Sequence, residues 1–311
     1  MPGVPPSRFA YLGPEGTFTE AALLQLPAAR HGTRIPMRSV PEALDAVRDG
    51  DADAALVPIE NSVEGSVPVT LDALLSKDPL NITAEVVLPV GFVLAGRTDG
   101  PVATIASHPH ALAQCRDFLR SRYPDAAVVD ALSTAAAARQ AAHGQVDACV
   151  CSPLAAQRHD LVVLADDIAD NPAAATRFVL VTRPATPAPP SGNDVTSLVV
   201  FIAHDQVGAL LAVLTELAVR GVNLTRIESR PTKQRLGRYA FFLDGTGHIA
   251  DARMAEALMG LKRVCAQVRF LGSYPRDTDE SPVRPPDGLA DGDFTDARRW
   301  LTALRDTGRS V

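Results

Sequence analysis

The chain has 311 residues, 46% of them hydrophobic and 21% charged, with a formal net charge of −6. That balance fits a soluble globular protein with room for about two or three domains. It excludes an electrostatic footprint for DNA or RNA, and no apolar stretch nears the roughly 20 residues needed to span a bilayer.

Met1–Ser7 is proline-rich and lacks an apolar core, so no secretory signal is expected. Over the first 183 residues, strand-like and helix-like segments alternate. Strands are expected at Phe9–Leu12, Ala54–Pro58, Glu85–Ala95, Thr104–Ala106, Ala148–Cys151 and Arg177–Thr182; helices are expected after Gly16, Pro41, Pro68, Pro109 and Thr134. The fold class is therefore α/β. An internal repeat runs through this region, because Ser39, Ala43, Gly50, Asp53 and Ala54 match Ser133, Ala137, Gly144, Asp147 and Ala148 at a constant offset of 94. Each copy reads as a capped helix, a glycine stop and a buried strand, which predicts two similar lobes with a crevice between them. Cys149 and Cys151, two apart on a strand, face one side. No second cysteine pair or spaced histidine pair accompanies them, so they read as buried reduced thiols of a cytoplasmic protein rather than as a metal site.

The stretch RPATPAPPSGND, Arg183–Asp194, reads as a linker stiffened by proline. Beyond it the order changes to βαββαβ within about 80 residues, a ferredoxin-like sandwich. Its first helix, GALLAVLTELAVRG, carries Leu210, Val213, Leu214 and Leu217 on one face. From Tyr274 the chain turns proline-rich; a short helix is expected near Asp293–Arg305 in an otherwise flexible tail, residues 274–311.

No G-x-G-x-x-G, P-loop, H-E-x-x-H or G-x-S-x-G motif is present, so the expected chemistry needs no cofactor and no metal. Polar segments instead stand where strands end. Tyr11-Leu12 leads into GPEGTFTEAALLQL, Leu56-Val57 into PIENSVEGSV, and Ile105-Ala106 into SHPHALAQCRDFL, where Ser107 or His108 is the expected cap of the helix carrying Gln114. Ligands of open α/β sheets bind beyond the carboxyl ends of strands, and helix N-termini there favour carboxylates.

The blocks GPEGTFTE, VPIENSVEGSV, SHPHALAQC and TRFVLV, in this order over residues 8–183, resemble the signature blocks of the prephenate dehydratase family. The resemblance implies two lobes of periplasmic-binding-protein type (type II) with the active site in the cleft. Lobe I takes about 8–83 plus 166–183, and lobe II about 84–165, followed by a linker at 184–194. Carried over by motif, Thr176, Arg177 and Phe178 are the candidate catalytic residues; Glu60, Asn61, Ser107, Gln114 and Thr134 are the candidate substrate-binding residues. The implied reaction removes CO2 and water from prephenate to give phenylpyruvate in phenylalanine biosynthesis. In it Thr176 assists the departing hydroxyl and Arg177 forks onto a carboxylate. Arogenate, one amino group away, remains an alternative substrate, and a non-catalytic amino-acid-binding regulator remains an alternative role. With the blocks beginning at Tyr11, a fused chorismate mutase of about 80–90 residues is not expected.

Two further blocks, Gly208-Ala209-Leu210 in DQVGAL (Asp205–Leu210) and Glu228-Ser229-Arg230-Pro231, resemble those of ACT regulatory domains, giving an ACT domain at 195–273. The implied effector is L-phenylalanine, held between two ACT domains and bordered by Asn223, Leu224 and the Gly237-Arg238-Tyr239 strand. A homo-oligomer follows, either a dimer through the ACT domains or a tetramer, with no nucleic-acid or membrane partner.

Overall fold

The computed structural model describes residues 7–76, 78–202, 207–233 and 238–308. It divides into two compact units: Val86–Arg183 with the chain up to Asp78, and Pro79–Glu85 with the chain from Pro184. Up to Arg183 the elements run β1 (Arg8–Leu12), α1 (Phe18–Leu23), α2 (Pro27–His31), β2 (Thr33–Met37), α3 (Val40–Asp49), β3 (Ala54–Asn61), β4 (Gly65–Ser66), α4 (Pro68–Leu74) and β5 (Asn81–Pro89). There follow β6 (Val93–Gly96), β7 (Thr104–Ser107), α5 (Pro109–Gln114), α6 (Arg116–Arg122), β8 (Ala127–Asp130) and α7 (Thr134–Ala142). The series ends with β9 (Ala148–Cys151), α8 (Pro153–Arg158), β10 (Val162–Ala165) and β11 (Ala175–Thr182).

Two sheets result, one per lobe. The first has the order β2-β1-β3-β11-β5 with β4 beside β3; the second has the order β10-β6-β9-β7-β8. In each, strands joined through helices are parallel, as β1 with β3 and β7 with β9, whereas β11 and β6 meet their neighbours β3 and β9 antiparallel. The expected strand Glu85–Ala95 is in fact two strands in different sheets. Pro89 has no N–H to continue a ladder and Gly91 follows it, so the chain passes between the lobes at residues 90–92 rather than at 84.

The sequence repeat has a structural counterpart in both lobes. Ser39 Oγ accepts from Glu42 N (3.3 Å) at the start of α3, and Ser133 Oγ from Ala136 N (3.0 Å) at the start of α7. Gly50 and Gly144, past the two helix ends, take φ of +83° and +69°, where an L side chain is strained. Asp53 then accepts from the backbone N–H of Ser7 and Arg8, and Asp147 from those of Ala103 and Thr104. Each carboxylate thereby ties the start of a helix-linked strand to the strand beside it. Small side chains on α7 (Ala135, Ala137, Ala138, Ala141) pack directly on Cys149 and Cys151 of β9. Cys115, Cys149, Cys151 and Cys265 are all free and buried, and burial pushes the Cys115 thiol up to about 12.

The second unit contains β12 (Asp194–Phe201), α9 (Ala209–Ala218), β13 (Leu224–Pro231), β14 (Tyr239–Thr246), α10 (Ala252–Val264) and β15 (Gln267–Pro275). Its antiparallel sheet has the order β13-β14-β12-β15, the expected βαββαβ sandwich. Val213 and Leu217 of α9 and Met254, Ala257 and Leu261 of α10 cover Leu198, Val200 and Leu243. The short helix expected near Asp293–Arg305 is a 17-residue helix, α11 (Asp291–Thr307), and Asp291 Oδ1 accepts from Arg253 N at 3.0 Å. Among the described residues, no helix is long and apolar enough to cross a membrane.

Candidate active site

Between the two lobes of the first unit lies an open cavity of about 1140 Å³. Leu12 at the end of β1, Asn61 at the end of β3 and His108 just past β7 all line it, as the rule for strand carboxyl ends requires. After β1 the chain turns through Gly13–Thr17. Thr17 Oγ1 donates to Leu12 O (3.1 Å) and accepts from Glu20 N (3.4 Å), which starts α1. Phe18 behind it meets Phe92 edge-on at 5.3 Å, forming an aromatic wall shared by both lobes.

The most informative contact joins β3 to β11. The two strands pair with Thr176 opposite Asn61 and Arg177 opposite Glu60, and the register then slips by one residue so that Phe178 faces Pro58. Asn61 Oδ1 accepts from the backbone N–H of Val63 (2.8 Å) and Glu64 (3.0 Å), which fixes the amide's orientation. Its Nδ2 therefore faces Thr176 and donates to Oγ1 at 2.8 Å. A hydroxyl that accepts there keeps its own hydrogen for another acceptor. Thr176 is 8% exposed and lines the cavity with Asn61.

The other expected site residues separate into two groups. Gln114 and Thr134 line the cavity; Gln114 Oε1 is buried without a hydrogen-bond partner among the described residues. Thr134 opens α7, but the cap is Ser133, and Ser133 through Ala136 all border the cavity. Arg177, Glu60, Phe178 and Ser107 are not part of the lining. Strand alternation sends Arg177 to the face opposite Thr176, where its guanidinium stands 3.8 Å from Glu60. Phe178 is 2% exposed and belongs to the lobe core. Ser107 is fully buried and its hydroxyl donates to Val150 O at 2.6 Å; the cap of α5 is His108 instead.

His108 is the lining residue most easily undervalued from sequence. Its Nδ1 accepts from His110 N (3.3 Å), so in the neutral ring the hydrogen sits on Nε2. Burial, then the neighbouring His110 ring at 5.0 Å, depresses its pKa, with Asp130 opposing. His108 is thus an uncharged donor at neutral pH. Arg139 also borders the cavity, three residues beyond Ala136 on α7, a spacing that places both on one helix face.

In the second unit, Gly208 takes φ of +82° and α9 begins at Ala209 and Leu210. Asn223 and Leu224 stand at the start of β13, and Glu228, Ser229, Arg230 and Pro231 at its end. Asp205, Gln206 and Gly237 lie outside the described residues. Sheet register separates these groups. Leu224 pairs with Gly245, which is opposite Thr196 at the start of β12, whereas Pro231 pairs with Tyr239, next to the partner of Phe201. Glu228–Pro231 therefore share one end of the sheet with the β12 exit towards α9, and Asn223-Leu224 sit at the other end.

A family model described as prephenate dehydratase matches residues 9–186. The chain belongs to the prephenate dehydratase family. A second model, the ACT domain, matches residues 196–263. Prephenate dehydratase of Amycolatopsis methanolica is 49% identical to this chain, covering 96% of it and 98% of that relative. The solved prephenate dehydratase of Arthrobacter aurescens, in complex with L-Phe, has a TM-score of 0.90 at 46% identity and covers 96% of this chain and 99% of its own. A structure described as GqqA, a novel type of quorum quenching acylase, has a TM-score of 0.78 at 33% identity, covering 87% of this chain and 98% of its own. The two family matches coincide with the two-lobed α/β region and the βαββαβ sandwich.

Proposed function

We propose that this protein is a prephenate dehydratase that converts prephenate to phenylpyruvate, with L-phenylalanine as its feedback effector. The observation that carries the reading is the Asn61–Thr176 hydrogen bond, which leaves a threonine O–H free to donate into the cavity. Prephenate needs little more than that. As the ring carboxylate's C–C bond breaks, its electron pair enters the ring and the opposite C–O bond releases hydroxide. The driving force is aromatisation. Thr176 stabilises the oxygen as it leaves by hydrogen bonding, and a proton from solvent completes the water molecule, so the dianion and one proton become phenylpyruvate, CO2 and H2O.

Binding the dianion falls to lobe II. The first turn of α7, bordered by Ser133 and Thr134, presents a positive dipole end, and Arg139 and the His108 Nε2–H add donors on the same side of the cavity. Gln114 supplies a further polar contact. Arg177 acts from behind the strand, through Glu60, in place of the direct carboxylate fork. An acylase, the activity named for GqqA, needs a nucleophile beside a base. Thr176 has an amide donor as its partner, an arrangement for giving a hydrogen rather than attacking.

The effector site is completed by a second copy, through pairing of the edge strand β13. Four free thiols fit a reducing compartment, the cytoplasm. The test is direct: phenylpyruvate is followed from prephenate with and without added phenylalanine. Turnover that phenylalanine depresses supports the reading; no phenylpyruvate from the purified full-length protein sinks it.

A further inference from the structure

Glu20 is 1% exposed, lies outside the cavity lining, and has no part in the chemistry above. Its sequence context, Thr17-Phe18-Thr19-Glu20, is that of a helix capping box, and one carboxylate oxygen does turn back to the chain: Oε2 accepts from Gly16 N at 2.7 Å. Capping leaves the other oxygen unexplained. Glu20 Oε1 accepts from Arg158 Nη2, and Arg158 ends α8 in the opposite lobe. The same guanidinium reaches Glu15 Oε2 through Nη1 at 3.3 Å. Arg34 Nε, on β2, stands 3.9 Å from Glu20 Oε1.

Two further contacts fasten the same loop to the same helix. Ser152, the cap of α8, donates from Oγ to Gly16 O at 2.8 Å. Gly16 also approaches so closely that a Cβ there would stand 3.2 Å from Ala155 Cα, at a φ of +85°. The loop held this way carries Glu15, Thr17 and Phe18 of the cavity wall, while His159, next to Arg158, belongs to the wall opposite.

We propose that Glu20 and Arg158 form a clasp between the lobes and are positioning residues for the dehydratase reaction. The proposal rests on the dehydratase reading. The pair lies behind the wall, so it acts on substrate only through the loop and α8. Its effect is to hold the cleft at its working width before substrate arrives. Without it the closed form is a fraction of the population, and apparent affinity falls by that fraction while the chemistry of the bound complex is retained.

The experiment compares the full-length wild type with Glu20→Gln, Arg158→Met, Arg158→Lys and the Glu20→Gln/Arg158→Met double variant, measuring kcat and KM for prephenate. Arg158 is partly exposed, so its variants keep the test readable if Glu20→Gln fails to fold. The expected result is a KM raised about tenfold in Arg158→Met with kcat within about twofold, since a closed fraction near one tenth weakens binding by that factor. Arg158→Lys recovers part of the loss, and the double variant is no worse than the worse single one. Folded variants with unchanged KM and merely lower thermal stability overturn the clasp. A wild type without turnover on prephenate overturns the underlying reading instead.

Discussion

Thr176 is separated from its chain neighbours by what their side chains can reach. Thr176→Val keeps the shape and removes only the hydroxyl. We expect kcat to fall about 10²-fold or more while KM changes little, because the lost bond matters most as the C–O bond breaks. Steady-state kinetics on prephenate checks it, and near-normal kcat removes Thr176 from the mechanism. Asn61 Nδ2 then lacks an acceptor, a cost of about 1–3 kcal/mol that a domain of ordinary stability absorbs. Phe178→Ala behaves differently. The ring is 2% exposed in the lobe core, and truncation costs about 3–5 kcal/mol. Its expected signature is a lower Tm and less folded enzyme, with the surviving fraction showing near-normal KM. Normal stability combined with a large KM change would show that Phe178 contacts substrate after all.

At the scale of elements, the lobe repeat supplies its own control. Ser39 and Ser133 cap α3 and α7 in the same way, but only Ser133 borders the cavity. Each Ser→Ala change removes one N-cap bond, worth about 1 kcal/mol. Equal Tm losses are expected from both, with a KM increase from Ser133→Ala alone; a KM increase from Ser39→Ala of the same size would refute the placement of substrate against α7. The paired aspartates give a pH prediction. Hydrogen bonding from Arg8 holds Asp53 far below the usual carboxylate range, and the Thr104 hydroxyl with two backbone N–H groups lowers Asp147. A folded-state pKa below the unfolded one, about 3.9 for aspartate, stabilises above that value and is lost as pH falls through the folded value. Acid unfolding below about pH 4 should therefore be shallower in Asp53→Asn and Asp147→Asn, whose Tm at pH 7 is already reduced; chemical denaturation across pH 2–7 measures this. The repeat was legible because caps, glycine stops and buried strands each use distinctive residues. Edge strands β8 and β10 were not, since Ala127–Asp130 is exposed throughout and Val162–Ala165 passes from two exposed to two half-buried residues, leaving no alternation to read. The site was only partly legible for a related reason: motif adjacency cannot tell which side of a strand a residue takes. Thr176 and Arg177 are neighbours in sequence and face opposite ways.

For the whole molecule, the decisive geometry is the length of β13. From Leu224 to Pro231 the chain advances seven residues, about 23 Å at the rise of a strand. A free amino acid is far too short to touch Asn223 and Glu228–Pro231 of one chain. β13 is the edge of its sheet, and Ile227 at its middle is 46% exposed. Two-fold antiparallel pairing of two such edges would set the start of one strand beside the end of the other, creating two equivalent sites, each built from both chains. That arrangement predicts complementation. Homodimers of Asn223→Ala and of Glu228→Ala each spoil both sites. A heterodimer of the two variants concentrates both changes in one site and leaves the other intact. Calorimetry on tag-selected, full-length heterodimers should find phenylalanine bound at half the wild-type stoichiometry with wild-type affinity, while each homodimer binds weakly. If the heterodimer binds no better than its parents, each site is built within a single chain or from other residues, and the edge-paired dimer is not the sensor.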